Sequence, residues 1–387
     1  MSLTDEKTQR TRLWDLAGGR RGVGIAVGIF ALTRVAQLII LAWLDAADDE
    51  PIGVRDRLLV WDAGWFLRVA VGGYPHGYTF DAAGRMEGNE LAFFPLYPTL
   101  IRMVAALGIP ASTAALIVSW LAAVGAAVAV HLLGTSLHDK RTGWALVGIC
   151  FSAPVAIVFS MAYTEALFLA LVAGMLVAAH RRVWWAAGLL GLAAALTRPT
   201  GAAAAVALAV AALLAIREDR RKMWQPLGAA GLALLGVPLF LTWVGWRVGD
   251  PAAWFRIQAA GWGTAFDYGS STLSFLGTTL SGADGWVPVS VAFILLAALV
   301  AAGVALAGRP WLPLAVYGLI AMLLVYGQAG FYHSKPRLLV PVLLTLLPAA
   351  IAAGRARPRV AVLSIAAWAA FGLWYGAYLV TVWPYTL

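Results

Sequence analysis

Long apolar runs, broken at short intervals by clusters of arginine and lysine, leave this chain few folds to adopt. A helix needs about 20 predominantly apolar residues to cross the hydrocarbon core of a bilayer. Runs near that length fall at about 22–44, 111–133, 143–160, 162–180, 183–197, 200–216, 226–246, 287–308, 311–330, 337–353 and 360–381. They are continuous rather than alternating, which argues against a transmembrane β-barrel. Charged residues make up 12% of the chain, where a soluble domain averages about 25%. The expectation is an all-α polytopic membrane protein of about eleven spans, forming a single integral-membrane domain over residues 1–387.

The basic clusters set the orientation. They are RTRLWDLAGGRR (10–21), DKR (139–141), HRR (180–182), REDRRK (217–222), GRP (308–310) and RARPR (355–359). All six fit on the cytoplasmic side, as the positive-inside bias requires. The N-terminus is then inside and the C-terminus outside. The same clustering accounts for the net charge of +9 without nucleic acid as a partner. The first run is too long for a signal h-region and ends in acids, so no cleavable signal is expected. The single cysteine, Cys150, excludes an internal disulfide, and the five histidines show no metal-ligand spacing.

One segment resists this topology. AFFPLYPTLIRMVAALG (92–108) is apolar but short, with two prolines and Arg102. As a span it would move DKR outside and flip every later loop, giving a twelve-span arrangement. With eleven spans it lies in or dips into the outer interface, a level that suits Tyr97 and Arg102. The first extracytoplasmic loop then covers 45–110 with interfacial helices, and a second long loop covers 247–286. Loops of that length are usually functional or disordered, and the apolar, aromatic stretch DRLLVWDAGWFLRVAV argues against disorder.

The chemistry-bearing residues gather on the outer side. Asp62 stands between Trp61 and Trp65. A carboxylate partly shielded there has a raised pKa and can accept a proton, or it simply caps the helix that follows. Asp45, Asp48, Asp49, Glu50 and Asp56 read first as a solvated turn. Their oxygens would suit a hard cation, but the spacing is loose. Glu87 and Glu90 precede FFPLYP, and Glu90 is the nearer to the membrane. Glu165 in SMAYTEALF lies at the next outside junction, as a site acid or a helix cap. Arg198 in ALTRPTG follows at a turn broken by Pro199 and Gly201. It would suit a phosphate or snorkel to lipid headgroups. WFRIQAAGWG offers Arg256, Gln258 and Trp262. FYHSKPRLL places His333, Lys335 and Arg337 within five residues, either an anion site or a contact for anionic lipid. Arg34 lies roughly 15 Å from the outer end of the first run. It is a functional suspect by default, or a partner for a buried acid or for helix carbonyls. One acid in an aromatic frame and several cations, all facing out, suit an enzyme that handles a lipid phosphate.

The order WDAGWFLRVAVGGYP, FFPLYPTLIRMVAALG, MAYTEALF, ALTRPTG resembles the PIG-V-type mannosyltransferases over roughly residues 55–205. These are relatives of the enzyme that adds the second mannose to GPI anchors, and they include actinobacterial homologues. WFRIQAAGWG and KPRLLVP look like the family's later motifs. The resemblance implies a GT-C glycosyltransferase fold in the cell membrane with an extracytoplasmic active site. It implies a polyprenyl-phosphate mannose donor and a lipid or glycan acceptor. The family's first-loop acid falls on Asp62, as the base of an inverting transfer. Arg198, Lys335, Arg337 and His333 would hold the donor phosphate. Trp61, Trp65, Glu90, Tyr97, Glu165, Arg256, Gln258 and Trp262 would contact substrate. No obligatory metal is expected, although the first-loop acids leave a divalent ion open. A transporter of lipid-linked sugar is the rival class, and Arg34 is the feature most in its favour.

Overall fold

A computed structural model of the chain describes residues 13–282, 285–383 and 385. Residues 10–12 of the leading basic cluster and 283–284 of the second long loop lie outside the described residues. Each of the eleven apolar runs carries a helix, but not all reach spanning length. Six do: Gly19–Ala46, Ala111–Leu137, Gly201–Glu218, Trp224–Val248, Trp286–Ala307 and Pro358–Thr381. A seventh span forms if Tyr332–Leu339 and Leu343–Arg355, bent by 56°, count together. Pro341 stands at that bend, where its missing N–H and its ring stop a helix. The other four runs are the shorter helices Lys140–Phe151, Glu165–His180, Trp184–Ala195 and Leu312–Tyr326.

The run 143–160 differs most from expectation. Its helix stops at Phe151, and residues 152–164 are irregular apart from a 3₁₀ turn at Ala156–Phe159. Pro154 lies just past the helix end, and Val155 adopts φ 68. Irregular backbone at membrane depth is tolerated only where protein covers it, and every residue from Cys150 to Leu169 is buried. The freed polar groups find a partner in Arg34, which is itself 1% exposed. Its Nη1 donates to the Ala156 carbonyl at 2.9 Å and to Ser160 Oγ at 3.1 Å, and its Nη2 donates to the Phe151 carbonyl. The partners of Arg34 are thus helix-end carbonyls and a hydroxyl.

The short apolar segment after residue 92 forms the helix Leu96–Ala105. Ten residues rise about 15 Å, half the hydrocarbon thickness. The helix packs on Asp62–Gly72 and Ala111–Leu137. Tyr97 is fully buried rather than interfacial, with its hydroxyl on the Ala115 carbonyl at 3.0 Å and on Ser119 Oγ at 2.7 Å. Arg102 does not reach for headgroups. It donates to the carbonyls of Ala70 (2.8 Å) and Val69 (3.1 Å) in the last turn of helix Asp62–Gly72, where Val69 also accepts the Gly73 N–H at 3.0 Å.

The described parts of the two long loops dock on each other. In the first, Arg57 ties Asp45 at 2.6 Å and also pairs with Asp48, so these two acids of the run form a structural knot. A two-stranded hairpin pairs Thr79–Phe80 with Met86–Glu87. The second loop carries helices Ala253–Trp262 and Ser270–Gly282. Gly88 and Gly261 meet so closely that a Cβ on either would lie 2.6 Å from the other's Cα. Only glycine permits that approach, and it brings Trp262 beside the first loop.

Basic clusters far apart in sequence meet at one end of the bundle. Arg182 pairs with Glu218, His180 meets Trp311 edge-on at 5.0 Å, and Trp144 donates to the Gly22 carbonyl at 2.9 Å. Glu165 opens the helix that ends at His180, and Arg198 precedes the helix that ends at Glu218. The candidate site therefore lies at the helix ends opposite the basic clusters.

Candidate active site

Asp62 is placed by a sharp local geometry. Trp61, just before it, adopts φ 56 and ψ −112, outside the regions a non-glycine residue favours. Backbone of that kind persists only where surrounding contacts enforce it. Here the Ala162 N–H donates to the Leu58 carbonyl at 3.0 Å, fastening the approach to Asp62 onto the segment that precedes Glu165. The Asp62 N–H donates to the Tyr163 hydroxyl, and that hydroxyl donates to the Val60 carbonyl, both at 3.3 Å. Asp62 does open the helix Asp62–Gly72, but no side chain caps it. Its carboxylate instead pairs with an arginine 275 residues away.

That pair is Arg337 Nη1 with Asp62 Oδ2, at 2.7 Å. Arg337 Nε also lies 3.5 Å from Glu165 Oε1, and Arg198 Nη1 lies 3.0 Å from the same oxygen. Four charges form one chain, Asp62–Arg337–Glu165–Arg198, with no net charge of its own. The Asp62 side chain is 22% exposed and that of Glu165 only 3%. Arg337 lies over the Tyr163 ring and Arg198 over the Phe168 ring, at 5.2 and 5.5 Å. The two nitrogens facing Glu165 are close enough for ion pairing yet lack hydrogen-bond alignment. Guanidinium N–H groups in that state can turn to another oxyanion, and the flat fork suits phosphate.

An aromatic wall stands beside this chain. Trp65 is one turn on from Asp62 on the same helix. It stacks on Phe93 at 5.6 Å and meets Trp262 edge-on at 5.4 Å. Arg68, a further step along, lies 3.7 Å over the Trp65 ring and binds Glu90 Oε1 through Nε at 2.8 Å. Gln258 and Trp254 both donate to the Ala92 carbonyl, at 3.1 and 3.2 Å. Trp65, Glu90, Gln258 and Trp262 thus come together, although two arrive from the second loop.

Other predicted residues are engaged elsewhere. Lys335 Nζ donates to the carbonyls of Val325 (2.8 Å), in the last turn of helix Leu312–Tyr326, and Gln328 (2.6 Å), just past it. It anchors the short helix that carries Arg337. His333 packs among the rings of Phe331, Tyr332 and Tyr385. Arg256 is mostly exposed and pairs with Asp250 at 3.1 Å. Tyr97 lies behind the site: Ser119 links it to the Tyr163 carbonyl at 3.2 Å. Trp61 packs against the main hydrophobic core. Among the described residues, no group of three or more His, Cys, Asp or Glu side chains is arranged to hold a metal ion. Three contributors escaped sequence reasoning. Arg68, Phe93 and Tyr163 all stand inside the quoted motifs, and Arg68 falls two i, i+3 steps after Asp62.

Fold and site together define a polytopic α-helical membrane protein that gathers a partly buried acid–arginine chain at one set of helix ends. No family model matches the chain. Curated relatives do. It is 36% identical over 139 residues to GPI mannosyltransferase 2 of Drosophila pseudoobscura pseudoobscura, covering 33% of this chain and 27% of that protein. It is 32% identical over 172 residues to GPI alpha-1,6-mannosyltransferase 2 of Mus musculus, covering 42% and 33%. Identity to GPI mannosyltransferase 2 of Drosophila melanogaster is 29% over 139 residues, covering 33% and 28%. The chain is thus related to the PIG-V-type mannosyltransferases, and it matches a third or less of the length of these curated relatives.

Proposed function

We propose that the protein is a mannosyltransferase that takes mannose from polyprenyl-phosphate mannose and gives it, with inversion, to a lipid or glycan hydroxyl. The reaction takes place on the extracytoplasmic side of the cell membrane, in a GT-C fold whose shorter helices complete an eleven-span bundle. The observation that carries this reading is the Asp62–Arg337–Glu165–Arg198 chain, set opposite the basic clusters. The relatives supply the sugar.

In this mechanism Asp62 removes the proton from the acceptor hydroxyl. The acceptor oxygen bonds to the anomeric carbon as the bond from that carbon to the phosphate oxygen breaks. The electron pair leaves with the prenyl phosphate, whose growing charge is held by Arg198 and Arg337. The transition state resembles an oxocarbenium ion, and phosphate leaves without protonation. Trp65, Phe93 and Trp262 offer flat apolar faces to a sugar ring or the first prenyl units. Glu90, Gln258 and Arg68 border that surface with polar groups. The transporter alternative loses its main support, because Arg34 is taken up by backbone carbonyls and the Ser160 hydroxyl.

The test is transfer of radiolabelled mannose from polyprenyl-phosphate mannose in membranes expressing the protein or its Asp62→Asn variant at matched levels. Transfer by the unmodified protein and loss in the variant is the expected result. Equal rates would remove Asp62 as the base, and no transfer by either would remove the donor assignment.

A further inference from the structure

The four charges are not equivalent. Glu165 is almost wholly buried and takes contacts from two arginines at once, while Asp62 is the more exposed acid and meets only Arg337. Two guanidinium groups held close together repel each other strongly in a poorly solvated site. A carboxylate between them offsets that repulsion and fixes their spacing. Removing one partner of such a buried set leaves an uncompensated charge and releases the others. Arg337 has two acids available on different sides: Glu165 through Nε at 3.5 Å and Asp62 through Nη1 at 2.7 Å.

We propose that Glu165 is a positioning residue that holds Arg198 and Arg337 together as one phosphate clamp, and that Arg337 is shared between Asp62 and the bound phosphate. The proposal rests on the transferase reading above. In the free protein Arg337 pairs with Asp62 and occupies one of its carboxylate oxygens. The donor phosphate competes for the same N–H groups. As Arg337 turns toward it, Asp62 becomes free to take the acceptor proton. Charge on the phosphate grows as the bond to the sugar breaks, so the pull on Arg337 rises when the base is needed. Glu165 touches neither sugar nor acceptor in this scheme.

The sign of two substitutions tests it. Asp62→Asn and Glu165→Gln each remove one negative charge from beside an anion site. Coulomb attraction alone makes both variants bind prenyl phosphate more tightly. Shared and positioning roles give opposite signs. Asp62→Asn frees Arg337 and tightens binding about threefold to tenfold. Glu165→Gln lets the arginines separate and weakens binding about tenfold or more. The measurement is the affinity of the purified full chain for farnesyl phosphate, with inorganic phosphate as a second probe, followed by donor dependence of mannose transfer. Glu165→Gln is expected to raise KM for the donor and to recover most of kcat at saturation, whereas Asp62→Asn loses kcat at every donor concentration. Tighter or unchanged farnesyl phosphate binding by Glu165→Gln, or a loss confined to kcat, overturns the positioning role. Failure of the unmodified protein to bind farnesyl phosphate overturns the transferase reading and this proposal with it. If Glu165→Gln does not fold, Asp62→Asn in an Arg337→Gln background decides. The tightening should fall below about twofold there, and its persistence refutes sharing through Arg337.

Discussion

Replacing Arg34 by leucine should unfold the region behind the site before it touches any chemistry. Leucine keeps apolar bulk in helix Gly19–Ala46 but removes the guanidinium donors to the Phe151 and Ala156 carbonyls and to Ser160 Oγ. Each buried acceptor left without a partner costs about 1–3 kcal/mol. The Phe151 carbonyl therefore accounts for roughly 1–3 kcal/mol, with a smaller loss at Ala156 in its 3₁₀ turn, partly offset because the arginine itself no longer needs to be desolvated. The segment released is 152–164, which includes Tyr163 beside Asp62. The chain offers a clean assay, because Cys150 is its only cysteine and is fully buried next to that segment. A fluorogenic maleimide should label Cys150 only as the protein opens on heating. Arg34→Leu should shift labelling to lower temperature by several degrees or more, with mannose transfer falling in parallel. Arg34→Lys should fall between the two, since one ammonium cannot match the spread of a guanidinium over three acceptors. Unchanged thermal labelling with transfer abolished would refute this account. Arg34 would then act in chemistry or transport, not as a brace for irregular backbone.

Three further outcomes follow from other contacts. Gly261→Ala places a Cβ 2.6 Å from the Gly88 Cα, so the loops should part at a cost of about 1–3 kcal/mol, raising proteolysis within 74–92 and lowering transfer. Arg102→Ala removes the guanidinium from the Ala70 carbonyl and leaves Val69 with the Gly73 N–H alone. Hydrogen exchange in helix Asp62–Gly72 should rise, with little change in helix Gly201–Glu218. Asp250 is held below the ordinary 3.8 of an aspartate, chiefly by the Tyr78 hydroxyl and then by the Ala252 N–H. A depressed folded pKa gives stability that is full above the unfolded value and is lost as pH falls through the folded one. Docking of the two loops should therefore hold above about pH 4 and weaken below it. Asp250→Asn should remove that acid step from tryptophan fluorescence, and its persistence would assign the step to another group.

Hydropathy located every helix of the bundle but not its length. The runs at 183–197 and 311–330 are as apolar as true spans, yet they yield helices of 12 and 15 residues. What shortens the run at 143–160 is Pro154 together with a guanidinium arriving from another helix, and no local pattern announces the second. The candidate site was legible as a set of residue types facing one side. Asp62, Glu165, Arg198 and Arg337 were each visible in the sequence. Their pairing was not, because it joins positions separated by up to 275 residues through tertiary packing. Lys335 and Arg102 show the limit from the other direction. Both looked like cations for an anion or a headgroup, and both are spent on backbone carbonyls.

That contrast separates two uses of positive charge in this protein. A bundle with broken helices exposes carbonyls where the chain leaves the helical path, and such groups need donors when water is excluded. Arg34, Arg102, Arg247 and Lys335 supply them, Arg247 reaching the carbonyls of Tyr74 and Pro75 at 2.7 Å each. A carbonyl is fixed in the backbone, so a cation bound to it becomes part of the scaffold. Arg198 and Arg337 are held by carboxylates instead, and their contacts with Glu165 lack hydrogen-bond alignment. A carboxylate and a phosphate compete for the same fork on nearly equal terms. Arginines kept among acids are therefore ready to exchange partners, whereas those kept by carbonyls are not. The exchangeable pair stands beside Asp62 and Glu165, with Lys335 fixing the short helix that carries Arg337 and Arg34 bracing the irregular segment that leads to Glu165.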